Sequence, residues 1–104
     1  MLRIYQDVLV MVREVAGVAR VVEVRDGDLA RQMRRSSASV ALNVAEGQYS
    51  RKGSRLARFC DAMGSANETR SALQVAHAVA LAEVDAAMLD RLDKIVATLW
   101  KLTR

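Results

Sequence analysis

With 104 residues, the chain has room for one domain, residues 1–104, and one modest core. It contains no proline and five glycines, which argues against loop-rich and all-β folds, whose turns draw on both. Its formal net charge is +4, and Cys60 is its lone cysteine, so an intrachain disulfide is excluded and a reducing compartment fits.

The first helix is predicted from about Ile4 to Val24, because Ile4, Val8, Met11, Val15, Val18 and Val22 recur every three or four residues. The run Val8–Val12 would also suit a strand. Length, the lack of proline, and charges at Arg13, Glu14, Arg20 and Glu23 favour the helix. Those charges also interrupt the most apolar stretch, so it is a poor membrane span. Arg3, Gln6 and Asp7 do not fit a signal peptide, and a cytoplasmic location is expected.

Gly27 is expected to take positive φ in the first turn, with Asp28 capping a second helix from Leu29 to Tyr49. Gly47 and Gly53 bound the next break, with Ser50 or Ser54 as the following cap. The third helix is predicted from Ser54 to Ala82, roughly 40 Å at ~1.5 Å per residue. Its second half, from Ala72, is nearly apolar all round and suggests a subunit interface. Asp85 is the expected cap of a fourth helix running to about Leu102 on Met88, Leu92, Ile95 or Val96, and Leu99. Cys60 and Trp100 are expected to pack, Cys60 in the core. The fold class is therefore all-α, with about four helices.

The second and third helices carry Gln32-x-x-Arg35, then Ser39-Val40-x-x-Asn43-Val44-Ala45-Glu46-Gly47, then Gly64-Ser65-x-x-Glu68, extended by Arg51 and Phe59. This pattern resembles a bacterial four-helix-bundle family. Its members include proteins encoded by intervening sequences inside large-subunit ribosomal RNA genes. They also include accessory variability determinants of diversity-generating retroelements. The resemblance covers most of the chain and departs from many members at Ala41, where they carry proline. It implies an antiparallel up-and-down four-helix bundle that commonly forms a five-fold ring, a homopentamer. For the retroelement branch it also implies binding to nucleic acid and to a reverse transcriptase. The residues do not choose between the branches.

Physically, Gln32, Arg35, Ser39, Asn43 and Glu46 share one face of the second helix, and Ser65 and Glu68 supply similar groups on the third. They are read as a structural polar seam, with Arg35 pairing a carboxylate and Asn43 bonding across helices. An acid/base pair of Glu46 and Glu68 is the less favoured reading. Residues 31–58 hold seven basic groups against Glu46 alone, a segment charge of +6. Arg31, Arg34, Arg51, Lys52, Arg55 and Arg58 are the candidate nucleic-acid-binding residues, for RNA or DNA, by phosphate neutralisation. The competing reading is a solvated charged face. Tyr49 suits either base stacking or hairpin packing. His77 has no partner at ligand spacing, so no metal or cofactor is expected. The two leading functions are a non-catalytic nucleic-acid-binding oligomer and a structural or protein-interaction scaffold without a nucleic-acid role.

Overall fold

The computed structural model describes residues 2–104. Four helices follow in chain order: α1 (Ile4–Val22), α2 (Gly27–Tyr49), α3 (Lys52–Ala78) and α4 (Ala86–Thr103), with no strand among the described residues. Each helix packs on its neighbour in sequence, and α1 closes against α4. The result is an all-α, up-and-down four-helix bundle measuring 43 × 22 × 18 Å.

The helical stripes build the core. Ile4, Val8, Met11, Val15, Val18 and Val22 of α1 are all buried, as are Met33, Val40 and Val44 of α2. From α4 come Met88, Leu92, Ile95 and Leu99, while Val96 is only partly covered. On α3 the buried row is mostly small, with Ala62, Ala66, Ala72 and Ala76 beside Phe59 and Leu73. Small side chains let α2 and α3 approach closely. No helix among the described residues is long and apolar enough to cross a membrane.

The helix ends differ from the sequence expectation in several places. α1 stops at Val22, whose carbonyl accepts from the amides of Arg25 and Asp26. Asp26, not Asp28, caps α2 by accepting the Leu29 amide at 3.0 Å. Gly27 is already helical, and no described glycine has positive φ. Helix α2 continues through Gly47, so the break before α3 is only Ser50 and Arg51. Neither Ser50 nor Ser54 caps α3; Arg51 occupies that position without a side-chain bond, and Ser50 donates back to the Glu46 carbonyl. Asp85 does cap α4, accepting from Ala87 N at 3.0 Å.

Helix α3 ends at Ala78 rather than Ala82. Ala80 adopts φ 58°, its amide bonds the His77 carbonyl, and the Leu81 amide bonds the Ala76 carbonyl. This is the paired-bond helix stop usually built on glycine. Of the apolar run beginning at Ala72, only Ala72, Leu73 and Ala76 are buried; Val75 and Val79 are exposed. Cys60 and Trp100 also lie on the surface, not in the core.

Candidate nucleic-acid interface

Three side-chain rungs join α2 to α3 and fix their antiparallel register, and Arg55 Nη1 adds a longer 3.5 Å bond to the Gly47 carbonyl. Ser36 Oγ lies 2.7 Å from Thr69 Oγ1, Ser39 Oγ lies 2.7 Å from Ser65 Oγ, and Arg58 Nε donates to Glu46 Oε2 at 2.9 Å. Thr69 and Ser36 are buried, and no buried side-chain polar atom among the described residues lacks a partner. The buried polar link in the seam is thus Ser36–Thr69, a pair absent from the sequence reading. A buried hydroxyl needs a partner on the facing helix, but which residues face each other becomes visible only once the register is known.

The predicted seam residues divide. Ser39 and Ser65 meet across the helices. Asn43 bonds the Ser39 carbonyl at 3.0 Å and its hydroxyl at 3.1 Å, so it braces its own helix instead of crossing. Glu46 is exposed and paired with Arg58. Gln32, Arg35 and Glu68 are exposed along an open groove with Ser36, Ser39 and Ser65, and Arg35 forms no ion pair with any described carboxylate. Gly64 faces open space, so no helix of this chain packs against it.

Among the described residues, Glu46 and Glu68 line no common pocket: Glu68 lies on the groove with Ser39 and Ser65, and Glu46 on a neighbouring one. Glu46 is ion-paired, and the Ser39 and Ser65 hydroxyls bond each other. His77 lies twelve residues beyond Ser65 on α3, about 18 Å away along the axis. Among the described residues no group of three or more His, Cys, Asp and Glu side chains could hold a metal ion.

The fold redistributes the basic residues. Arg31 and Arg34 stand near the start of α2, and Arg51, Lys52, Arg55 and Arg58 near the start of α3. Because the helices are antiparallel, these groups lie toward opposite ends: Arg31 is about 27 Å along α2 from Tyr49. The two groups therefore do not form one patch. At the far end Arg31 and Arg34 each have a carboxylate, Asp28 at 2.8 Å and Glu23 at 3.0 Å, while Arg25 and Arg35 of the same end form no ion pair among the described residues.

The near end is different. The Leu2 amide donates to Gln48 Oε1 at 2.8 Å, which brings the start of α1 to the end of α2. The Arg91–Glu14 and Arg70–Asp93 pairs, both 2.8 Å, set α4 antiparallel to α1 and α3, so its C-terminus arrives there too. Arg3, Lys101 and Arg104 thereby join Arg51, Lys52, Arg55 and Arg58. Arg58 is neutralised by Glu46, and Arg55 stacks over the Phe59 ring at 4.8 Å. Arg3, Arg51, Lys52, Lys101 and Arg104 are exposed and form no ion pair among the described residues. Lys52 holds φ 47°, a backbone conformation rare for a side chain of its size. Tyr49 stands beside this cluster, 79% exposed, so it does not serve as a packing residue within the chain. Sequence reasoning missed Arg3, Lys101 and Arg104 because they are remote in sequence from residues 31–58.

This chain is similar to a solved protein of unknown function from the S23 ribosomal protein family of Bacteroides thetaiotaomicron VPI-5482. The two share 14% identity, with a TM-score of 0.89 over 97% of this chain and 98% of that one. A likeness at that identity speaks to the fold, and it supports the four-helix bundle described above. No curated protein matches. The 23S rRNA-intervening sequence protein family matches residues 1–101, nearly the whole chain, and neither it nor the solved neighbour is described as an enzyme. With its bundle and its helix 2–helix 3 motif in place, the chain belongs to the 23S rRNA-intervening sequence protein family.

Proposed function

We propose that this protein is a non-catalytic, nucleic-acid-binding module that uses the basic end of its bundle. The observation that carries the reading is the convergence of Arg3, Arg51, Lys52, Lys101 and Arg104 from three helices, none of them paired to a described carboxylate. Unneutralised cations on one surface attract a polyanion and displace its counterions. The reading moves the interface from the face of α2 and α3 to the end of the bundle, and Arg31 and Arg34 drop out of it. RNA and DNA both fit phosphate-led binding. The exposed free thiol of Cys60 suits a reducing compartment such as the cytoplasm.

Self-association belongs to the same proposal. On the outward face of α2, Ala38, Leu42, Ala45 and Tyr49 repeat at four-three-four spacing, with Leu42 66% exposed. Such a stripe suits a helix from another chain. A homopentameric ring would repeat the basic end five times and raise affinity by avidity. In the retroelement version of this reading a reverse transcriptase is the further partner. The same stripe favours a second reading, a protein-interaction scaffold in which the basic end is merely solvated.

The test is binding to a mixed-sequence RNA and a DNA of equal length across a salt series. Wild type is expected to bind at low salt and weaken steeply as salt rises. Reversing Arg51, Lys52, Lys101 and Arg104 to Glu should abolish binding, and reversing Arg31 and Arg34 should change it little. Replacing the same four with Ala should flatten the log–log salt slope by on the order of three. Wild type that ignores both polymers at low salt, while co-purifying with a protein, establishes the scaffold reading instead.

A further inference from the structure

Trp100 is the protein's only tryptophan, and its placement is unusual. The indole is 58% exposed, whereas a side chain of this size is usually well covered. It sits two turns beyond Asp93 on the same face of α4, and Asp93 bonds Arg70 of α3, so that face looks toward α3. Counting back two turns from Arg70 reaches Met63, at the level of Trp100; two further turns reach Leu56, itself 44% exposed. Arg104 follows Trp100 by one turn, Lys101 is adjacent to it, and Lys52 stands one turn before Leu56. The exposed indole therefore has Lys101 and Arg104 beside it on α4, neither in an ion pair among the described residues. Leu56 and Lys52 continue the same α3–α4 side toward the turn, with Lys52 about 16 Å along the axis from Trp100.

Resting on the nucleic-acid reading above, we infer that this α3–α4 surface is a stacking platform for single-stranded nucleic acid, with a base lying on Trp100, the flanking phosphates on Lys101 and Arg104, and the strand running on past Leu56 to Lys52. An indole offers its π-face to any base, so the site tolerates sequence. A duplex keeps its bases stacked on one another and presents only phosphates to this surface. It is held by charge alone, without Trp100. The shared chemistry of single-stranded RNA and DNA, an unstacked base beside a phosphate chain, defines the ligand class.

Trp100 also reports on the test. Wild-type protein is titrated with a single-stranded RNA, a single-stranded DNA of the same sequence and the DNA duplex, following tryptophan emission and, separately, affinity with labelled oligonucleotides. Single strands are expected to quench the emission and the duplex to leave it nearly unchanged. Trp100→Leu should weaken single-strand binding about ten-fold, the loss of one stacked base, while duplex affinity stays put. Trp100→Phe, which keeps a π-face, should retain most of the affinity. Circular dichroism checks that both variants remain helical. Quenching by one single strand and not the other identifies RNA or DNA as the source. Single strands that bind with emission unchanged, or bind Trp100→Leu as tightly as wild type, overturn the platform and leave the nucleic-acid reading standing. If neither single strand nor duplex binds at low salt, both fail.

Discussion

Phe59 lies with its ring against the backbone of Gly47, where α2 and α3 approach beside their connecting turn. A Cβ added at Gly47 would sit 2.5 Å from Phe59 Cε1 and 2.7 Å from Cδ1. Gly47 is buried within a helix, so its role is this close approach and not a turn. Phe59 is fully buried and is the largest side chain in the core; its outer neighbour is the Arg55 guanidinium.

Gly47→Ala should therefore destabilise the bundle despite alanine's better helix propensity. Propensity contributes about 1 kcal/mol in favour of alanine, and overpacking against an enclosed ring costs ~1–3 kcal/mol or more. The expected net loss is about 1–2 kcal/mol, seen as a melting temperature lower by roughly 5–15 °C. Adding Phe59→Leu should recover part of the loss relative to the sum of the single changes. Strict additivity in thermal or urea melts would mean the clash is relieved elsewhere.

The hydroxyl pair at the centre of the seam gives a second prediction. Thr69 Oγ1 lies 2.7 Å from Ser36 Oγ and 2.8 Å from the Ser65 carbonyl, all inside the bundle. Thr69→Val keeps the shape and strips the hydroxyl, so it should cost ~1–2 kcal/mol. Ser36→Ala should cost less, because the Thr69 hydroxyl it leaves behind still donates to the Ser65 carbonyl at 2.8 Å, whereas Thr69→Val leaves Ser36 only its longer 3.3 Å bond to the Met33 carbonyl. The double variant should be more stable than the two losses added together, with a coupling of at least ~0.5 kcal/mol. Urea unfolding of the four proteins measures it.

How much could be read without the fold depends on whether the controlling interaction is local. The α1 stripe from Ile4 to Val22 and the Asp85 cap were legible, since both are set by residues within a few positions. The end of α3 was not, because Ala80 carries no signal for a left-handed stop and the apolar run continues to Ala82. Near the first turn, Asp26 and Asp28 flank Gly27 and look equally suited to capping; α1 ends early enough to hand the role to Asp26. Apolar character suggests a core position for Cys60 and a packing role for Trp100, but only packed helices determine which face of α3 and α4 looks outward. The basic segment was visible, yet antiparallel helices carry Arg31 and Arg58 in opposite directions along the bundle. They also bring in Arg3 and Arg104 from the two ends of the chain.

Ala80 supplies a third prediction. At φ 58° an alanine is strained by its Cβ, and glycine is not. The position is exposed, and its amide and that of Leu81 close the end of α3, so a substitution there disturbs no side-chain packing. Ala80→Gly should stabilise the protein by ~1 kcal/mol, raising the melting temperature by about 4–8 °C. Ala80→Val, β-branched and worse at positive φ, should lower it. A drop with glycine would show that the left-handed stop does not govern stability there.

The outward stripe of α2 supplies the last. Leu42 is 66% exposed and flanked along the helix by Ala38 and Ala45, so within one chain it buries little of its surface. Leu42→Glu should therefore leave the monomer's fold nearly untouched, within about 0.5 kcal/mol. In an assembly that stacks this stripe against another chain, the same change puts a charge into an apolar contact, where an unpaired carboxylate costs several kcal/mol. Sedimentation velocity at several concentrations should show wild type as an assembly and Leu42→Glu shifted toward monomer, with helix content unchanged. Val75→Glu, on a different exposed stretch at the far end of α3, separates a contact specific to α2 from a general fall in surface hydrophobicity. If Leu42→Glu and wild type sediment alike at every concentration, the α2 stripe is not the contact between copies.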